Sequence, residues 1–155
     1  MSAGPFIHIA LMNPEIAPNT GNIGRLALGL NARLHVVHPL GFQIDEKAVR
    51  RAGVDYWKDV DLMEHASADA FWDWAQGRRV HLFSTKVSRT YAGIAWARGD
   101  VLLFGPESRG LSPEDIERHG AWTIPMTGNI RSLNLANAVA VVAYSALQSL
   151  HSELF

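Results

Sequence analysis

The sequence predicts a single α/β domain built on a mostly parallel sheet, with helices on both faces. Two patterns along the 155 residues lead there. Short apolar runs alternate with helical segments, the order that lays helices over both sides of a parallel sheet. No repeat, low-complexity segment or linker divides residues 1–155, so they read as one domain.

In chain order, residues 6–11 form an apolar run ahead of Asn13-Pro14 and read as a buried strand. Residues 14–25 make a polar turn feeding a helix that runs to about Asn31. Residues 34–38 are a second strand, closed by Pro39-Leu40-Gly41. Residues 45–51 suit a short helix with acids first and bases last, as the helix dipole favours, and Gly53 ends it. Residues 56–62 hold a weak strand, and residues 66–75 a helix carrying Phe71, Trp72 and Trp74. Residues 80–83 and 101–104 are further buried strands. Ser112-Pro113-Glu114-Asp115 opens a helix with an N-cap, a first-turn proline and two acids. Residues 122–124 read as the last strand, and residues 135–150 as an almost wholly apolar helix expected to be buried.

Composition narrows the function classes. The chain is 48% hydrophobic and 19% charged, which is ordinary for a globular domain. Its longest apolar run, residues 138–143, is far too short to span a bilayer, and no signal peptide precedes the first strand, so a cytoplasmic protein is expected. The absence of cysteine removes disulfides, thiolate metal sites and a cysteine nucleophile. A net charge of −1 argues against coating nucleic acid by charge alone, although Arg50, Arg51, Lys86, Arg89 and Arg131 can form a local basic face.

In a parallel sheet, ligands sit beyond the carboxyl ends of the strands. Four polar stretches follow strands: residues 19–25, 83–86, 105–110 and 127–134. Their convergence on one crevice is the site expectation. None matches a dinucleotide fingerprint or a P-loop, no His-Glu-x-x-His or Gly-x-Ser-x-Gly occurs, and most of the seven scattered histidines read as surface or strand-end residues. No metal is expected. Ser132, Asn134 and Asn137 stand at the mouth of the last helix, either as N-caps or as a seat for a polar ligand group. Gly105-Pro106-Glu107-Ser108-Arg109-Gly110 is either a plain turn with Glu107 and Arg109 paired or a close backbone approach to a ligand. Arg25 is either a solvated surface arginine or a site residue.

Three stretches carry a resemblance. Asn19-Thr20-Gly21-Asn22-Ile23-Gly24-Arg25, Leu103-Phe104-Gly105-Pro106-Glu107-Ser108-Arg109-Gly110-Leu111, and Ile124-Pro125-Met126 with Arg131-Ser132-Leu133-Asn134-Leu135 resemble the three motifs of the SPOUT, or trefoil-knot, RNA methyltransferases. The likeness spans nearly the whole chain. Residues 13–22 and Arg50-Arg51-Ala52-Gly53-Val54-Asp55-Tyr56 are most similar to the minimal branch that methylates the ribose of the tRNA wobble nucleotide.

That resemblance implies a C-terminal part threaded into a deep trefoil knot, which general topology rules would not suggest. It implies S-adenosylmethionine as methyl donor, held at Phe83, Ser84, Thr85, Gly105, Ile124, Met126, Ser132 and Leu133. The implied catalytic set is Arg25, Asn19, Glu107, Ser132 and Asn134, with Asn19 orienting Arg25 and Glu107 fixing its loop. The implied substrate is cytidine or modified uridine 34 in the tRNA anticodon loop, of leucine isoacceptors, bound without a separate RNA-binding domain. Another tRNA or rRNA nucleotide, or a non-catalytic RNA-binding member, are the alternatives. A homodimer through the last helix is also implied, with Arg25 able to complete the partner subunit's site. Gly128-Asn129-Ile130, Ala136 and Met12-Asn13 depart from the family pattern, which leaves the preferred nucleotide open.

Overall fold

A strand can sit at the middle of a sheet only if both of its faces are apolar enough to be covered. β1 (His8–Met12) is buried at every position and is that strand. The computed structural model describes residues 4–155, apart from the side chains of residues 50 and 52–55. With β2 (Arg33–Val37), β3 (Leu62–His65), β4 (Val80–Phe83) and β5 (Val101–Phe104), the sheet runs β3-β2-β1-β5-β4, and every pairing is parallel. Ile9 lies beside Leu34 on one side and Leu102 on the other.

Strand periodicity assigns the layers. Ile9, Leu11, Leu34, Val36, Leu102 and Phe104 face α1 (Ala17–Leu30) and α5 (Leu135–Leu150), which contribute Ile23, Ala27, Val139, Val142 and Ala143. Ala10, Met12, Val37, Leu82, Val101 and Leu103 face the other way. There they meet Phe71 of α3 (Ala68–Trp74), Leu111, and Ile116 of α4 (Pro113–His119). α2 (Lys47–Gly53) packs on α1. The predicted single α/β domain is therefore observed. Among the described residues no helix is long and apolar enough to cross a membrane.

Four expectations change. The weak strand expected at residues 56–62 is a 3-10 turn, Val54–Asp59, and the strand begins at Leu62, where the chain comes into register with Leu34. Residues 122–124 form no strand; Trp122 and Thr123 make one isolated parallel bridge each, to Phe83 and Thr90. These two partners lie on separate segments, so no ladder extends. α1 starts at Ala17, and Asn19, Gly21 and Asn22 are helical rather than part of the turn. Finally, α5 is buried on one side only, with Val141 and Tyr144 40% and 46% exposed.

Candidate functional site

The strand order reverses between β1 and β5, since the chain runs outward from β1 to β3 before returning to the opposite side. Such a switch point leaves a crevice outside the carboxyl ends of the strands. A cavity of about 540 Å³ lies beyond the ends of β4 and β5, with Ile16 and Asn19 from the start of α1 on its wall. That volume falls within the roughly 300–1,000 Å³ of small-molecule sites. Phe83, Ser84, Thr85, Gly105, Ile124, Met126, Ser132 and Leu133 all border it. So do Asn19, Glu107 and Asn134. Phe104, Trp122 and Leu135 complete an apolar wall interrupted by a few hydroxyl and amide groups.

Backbone chemistry shapes the β5 loop. A Cβ on Gly105 would lie 2.3 Å from the Gly110 carbonyl carbon and the Leu111 nitrogen, so only glycine lets the two ends of this turn touch. Gly110 closes the turn at φ +73°, its amide donating to the Pro106 carbonyl at 2.8 Å. Glu107 does not pair with Arg109 as a plain turn would have it. Its Oε1 accepts the Glu15 amide at 2.8 Å, and its Oε2 accepts the Ile16 amide at 3.0 Å and the Asn19 side chain at 3.2 Å. The N-cap of α1, Ile16, has no side-chain oxygen, so a carboxylate from 91 residues away takes the donors at the helix start.

The other end of this network is α5. Asn134 Nδ2 donates to Asn19 Oδ1 at 3.1 Å, while Asn134 Oδ1 accepts the Asn137 amide at 3.2 Å as the N-cap. Both readings of Asn134 hold at once: it caps a helix and borders the cavity. Asn19 thus joins Glu107 to Asn134, and both of these bonds point away from an orienting contact with Arg25.

Residues 121–124 pass between two strand-like neighbours. Trp122 donates to the Leu82 carbonyl and accepts from the Ser84 amide; Thr123 donates to the Arg89 carbonyl and accepts from the Tyr91 amide. Arg89 reaches over this segment, donating to the Ala121 carbonyl at 3.4 Å with its guanidinium 3.7 Å from the Trp122 ring centroid. Arg89 is thus held against the back of Trp122, a residue of the cavity wall, while remaining exposed.

Arg25 stands apart from the other site residues. It lies on the exposed side of α1, outside the cavity lining, with its guanidinium 5.1 Å from the centroid of Tyr56. Lys86 and Arg131 border the cavity, and Arg109, which the sequence offered only as a partner for Glu107, borders it too. Arg51 is exposed on α2; the side chain of Arg50 lies outside the described residues.

Three histidines are buried: His8 and His65 at strand ends, as expected of most histidines here, and His35 in the middle of β2. His8, His35 and His65 sit side by side on β1, β2 and β3, with Nδ1 to Nε2 separations of 2.9 Å at both junctions. Trp74 packs over all three. Burial, then the nearby Arg78 and Arg33, pushes His8 down to about 4 against an opposing pull from Asp61. His35 is pushed down to about 2 by burial first, then by its two histidine neighbours and the same arginines. Burial lowers His65 as well. Among the described residues no group of three or more His, Cys, Asp or Glu side chains is arranged to hold a metal ion.

Sequence reasoning gave no role to Glu15 and Ser108, although both lie in stretches quoted for the resemblance; their side chains meet across 93 residues. It also missed Phe104 and Trp122 as wall residues, although Phe104 adjoins Gly105 and Trp122 lies two residues before Ile124.

A parallel sheet with a walled cavity at its switch point defines the class: an α/β domain with room for a small molecule beyond its strand ends. The chain matches the SpoU rRNA Methylase family over residues 6–144 and belongs to that family. A tRNA (cytidine(34)-2′-O)-methyltransferase of Aeromonas hydrophila is 44% identical over 93% of this chain and 94% of its own. A solved structure described as "Structural insights into the 2-OH methylation of C/U34 on tRNA" is 45% identical. It superposes with a TM-score of 0.91, covering 94% of this chain and 97% of that one. A SpoU methyltransferase from Streptomyces viridochromogenes, solved in complex with the cofactor AdoMet, is 25% identical with a TM-score of 0.80, over 98% of this chain and 60% of that one.

Proposed function

We propose that the chain transfers a methyl group from S-adenosylmethionine to the ribose 2′-oxygen of nucleotide 34, cytidine or modified uridine, in the anticodon loop of tRNA, with leucine isoacceptors as substrates. The observation that carries this reading is the convergence of all eight expected donor positions, from three separate stretches of chain, on one cavity. The wobble-position specificity of the relatives supports the substrate assignment. We further propose a cytoplasmic homodimer whose α5 faces pair, a knot formed where residues 121–124 pass the 82–91 segment, and tRNA contacts supplied by this domain itself.

S-adenosylmethionine, when bound, supplies a methyl carbon made electrophilic by its sulfonium. The chain's part is to hold and orient. Phe83, Gly105, Ile124, Met126 and Leu133 would wall the donor in, with Ser84, Thr85 and Ser132 offering hydroxyls. Positioning two reactants accounts for up to about 7–11 kcal/mol of a barrier. Asn19, Glu107 and Asn134 have hydrogen-bonding capacity already spent on one another and on backbone, which makes them the frame that sets this geometry. A guanidinium is no base at neutral pH, so the role we assign to Arg25 is to hold negative charge rather than to take a proton. Placed outside its own cavity, it fits a role in the partner subunit's site. There it would hold the adjacent phosphate or the developing alkoxide, while the hydroxyl proton leaves to a phosphate oxygen or water.

Ribose-methylation mapping of bulk tRNA incubated with the protein and labelled donor tests the proposal. Label at nucleotide 34 is the expected result; label elsewhere would overturn the specificity and leave the reaction class standing. Arg25→Ala is expected to keep donor affinity and lose at least about a hundredfold in turnover. Near-wild-type turnover would remove Arg25 from the mechanism.

A further inference from the structure

Two carboxylates tie the β5 loop to the start of α1 in opposite directions. Glu107 of the loop takes the backbone amides of Glu15 and Ile16. Glu15 returns the favour with its side chain: Oε1 accepts the Ser108 amide at 2.8 Å and Oε2 accepts the Ser108 hydroxyl at 3.0 Å. Those two bonds hold the Glu15 carboxyl below its usual range, the amide being the larger influence. Charge-assisted bonds of this kind are the shorter and stronger ones.

The Glu15 backbone is itself fixed from behind. A Cβ on Gly41 would fall 2.7 Å from the Glu15 carbonyl oxygen, and the Gly41 amide donates to the Pro14 carbonyl at 2.9 Å. Glu15 therefore leaves a braced backbone and reaches into the turn that Gly105 and Gly110 close. Glu107 depends on the same braced segment for its own partners.

We propose that Glu15 is a positioning residue for the cavity: its carboxylate holds the 105–110 turn in the shape that borders the ligand site, and so couples that turn to the helix bearing Asn19 and Arg25. The link to methyl transfer rests on the function proposed above; the clasp itself does not. Loss of this carboxylate frees Ser108, an exposed residue whose groups water can satisfy, so the fold survives while the turn loosens. A glutamine at position 15 keeps both bonds, its oxygen accepting the Ser108 amide and its nitrogen donating to the Ser108 hydroxyl.

Amide hydrogen exchange on the intact chain, without any donor, reads the clasp directly. Glu15→Ala is expected to speed exchange at Ser108 and Gly110 at least tenfold, Glu15→Gln to stay within threefold of wild type, and β1 and β5 to be unchanged. Donor titration should follow, with affinity at least fivefold weaker in Glu15→Ala and within twofold in Glu15→Gln. Adding Ser108→Ala to Glu15→Ala should weaken it no further. Unchanged exchange at the turn in Glu15→Ala, or additive losses in the double variant, would overturn the proposal. If Glu15→Ala does not fold, failure of Glu15→Gln to preserve the turn's protection overturns it equally. A wild-type chain that neither binds the donor nor methylates tRNA, yet shows the exchange pattern, would sink the function and leave the clasp.

Discussion

At the scale of single residues, the buried histidines make the chain's stability depend on pH. His8, His35 and His65 stay neutral in the fold, whereas in the unfolded chain they take up protons near pH 6.5. Folded values below unfolded ones mean that the unfolded state binds more protons as pH falls. Stability is therefore full above about 6.5 and is lost below it. Each histidine so held costs about 1.4 kcal/mol per pH unit. The loss from His8 levels off near pH 4, and that from His35 continues towards pH 2. Urea midpoints are expected to hold between pH 7.5 and about 6.5 and then to fall towards pH 5 by an amount worth about a few kcal/mol, and a flat profile would show that the three histidines already carry charge in the fold. None of this was visible in the sequence. His8 and His35 sit in apolar runs, but nothing in one dimension says that three strands will set them side by side.

Among the elements, the turn after β5 decides most about the cavity. Gly105 has no room for a methyl group, because the atoms it would strike belong to the backbone of Gly110 and Leu111 and not to a flexible side chain. Gly105→Ala must move one limb of the turn. Overpacking of this kind costs about 1–3 kcal/mol. The expected outcome is a melting temperature lower by several degrees and at least a tenfold weaker affinity for S-adenosylmethionine, read by thermal denaturation and isothermal titration. Undiminished affinity would mean that the turn does not shape the site. The need for glycine here was legible from the Gly-Pro-Glu-x-Arg-Gly pattern, as was the Asn134 cap from the change of composition at Leu135. The bracing of α1 was not legible, because Ile16 offers no cap and its substitute, Glu107, comes from a different loop. Residues 122–124 misled for a related reason: their apolar pattern suits a strand, yet their partners on either side belong to separate segments.

For the whole molecule, alternation of apolar runs and helices was sufficient to give the layers, and the reversal of strand order supplied the place where loops from distant parts of the chain meet. The same layering leaves a stripe of α5 uncovered, with Val141 and Tyr144 outward, on a helix whose opposite side is core. Sequence alone made that helix wholly buried, because it cannot distinguish a surface covered by the chain's own sheet from one left for another molecule. Arg25, outside its own cavity, and this stripe both fit the proposed dimer. The most direct measurement is a crystal structure of the chain grown with saturating S-adenosylmethionine. The expected result is the donor enclosed by Gly105, Ile124 and Leu133 beyond the ends of β4 and β5. Donor density anywhere else on the chain, or none at saturation, would contradict it.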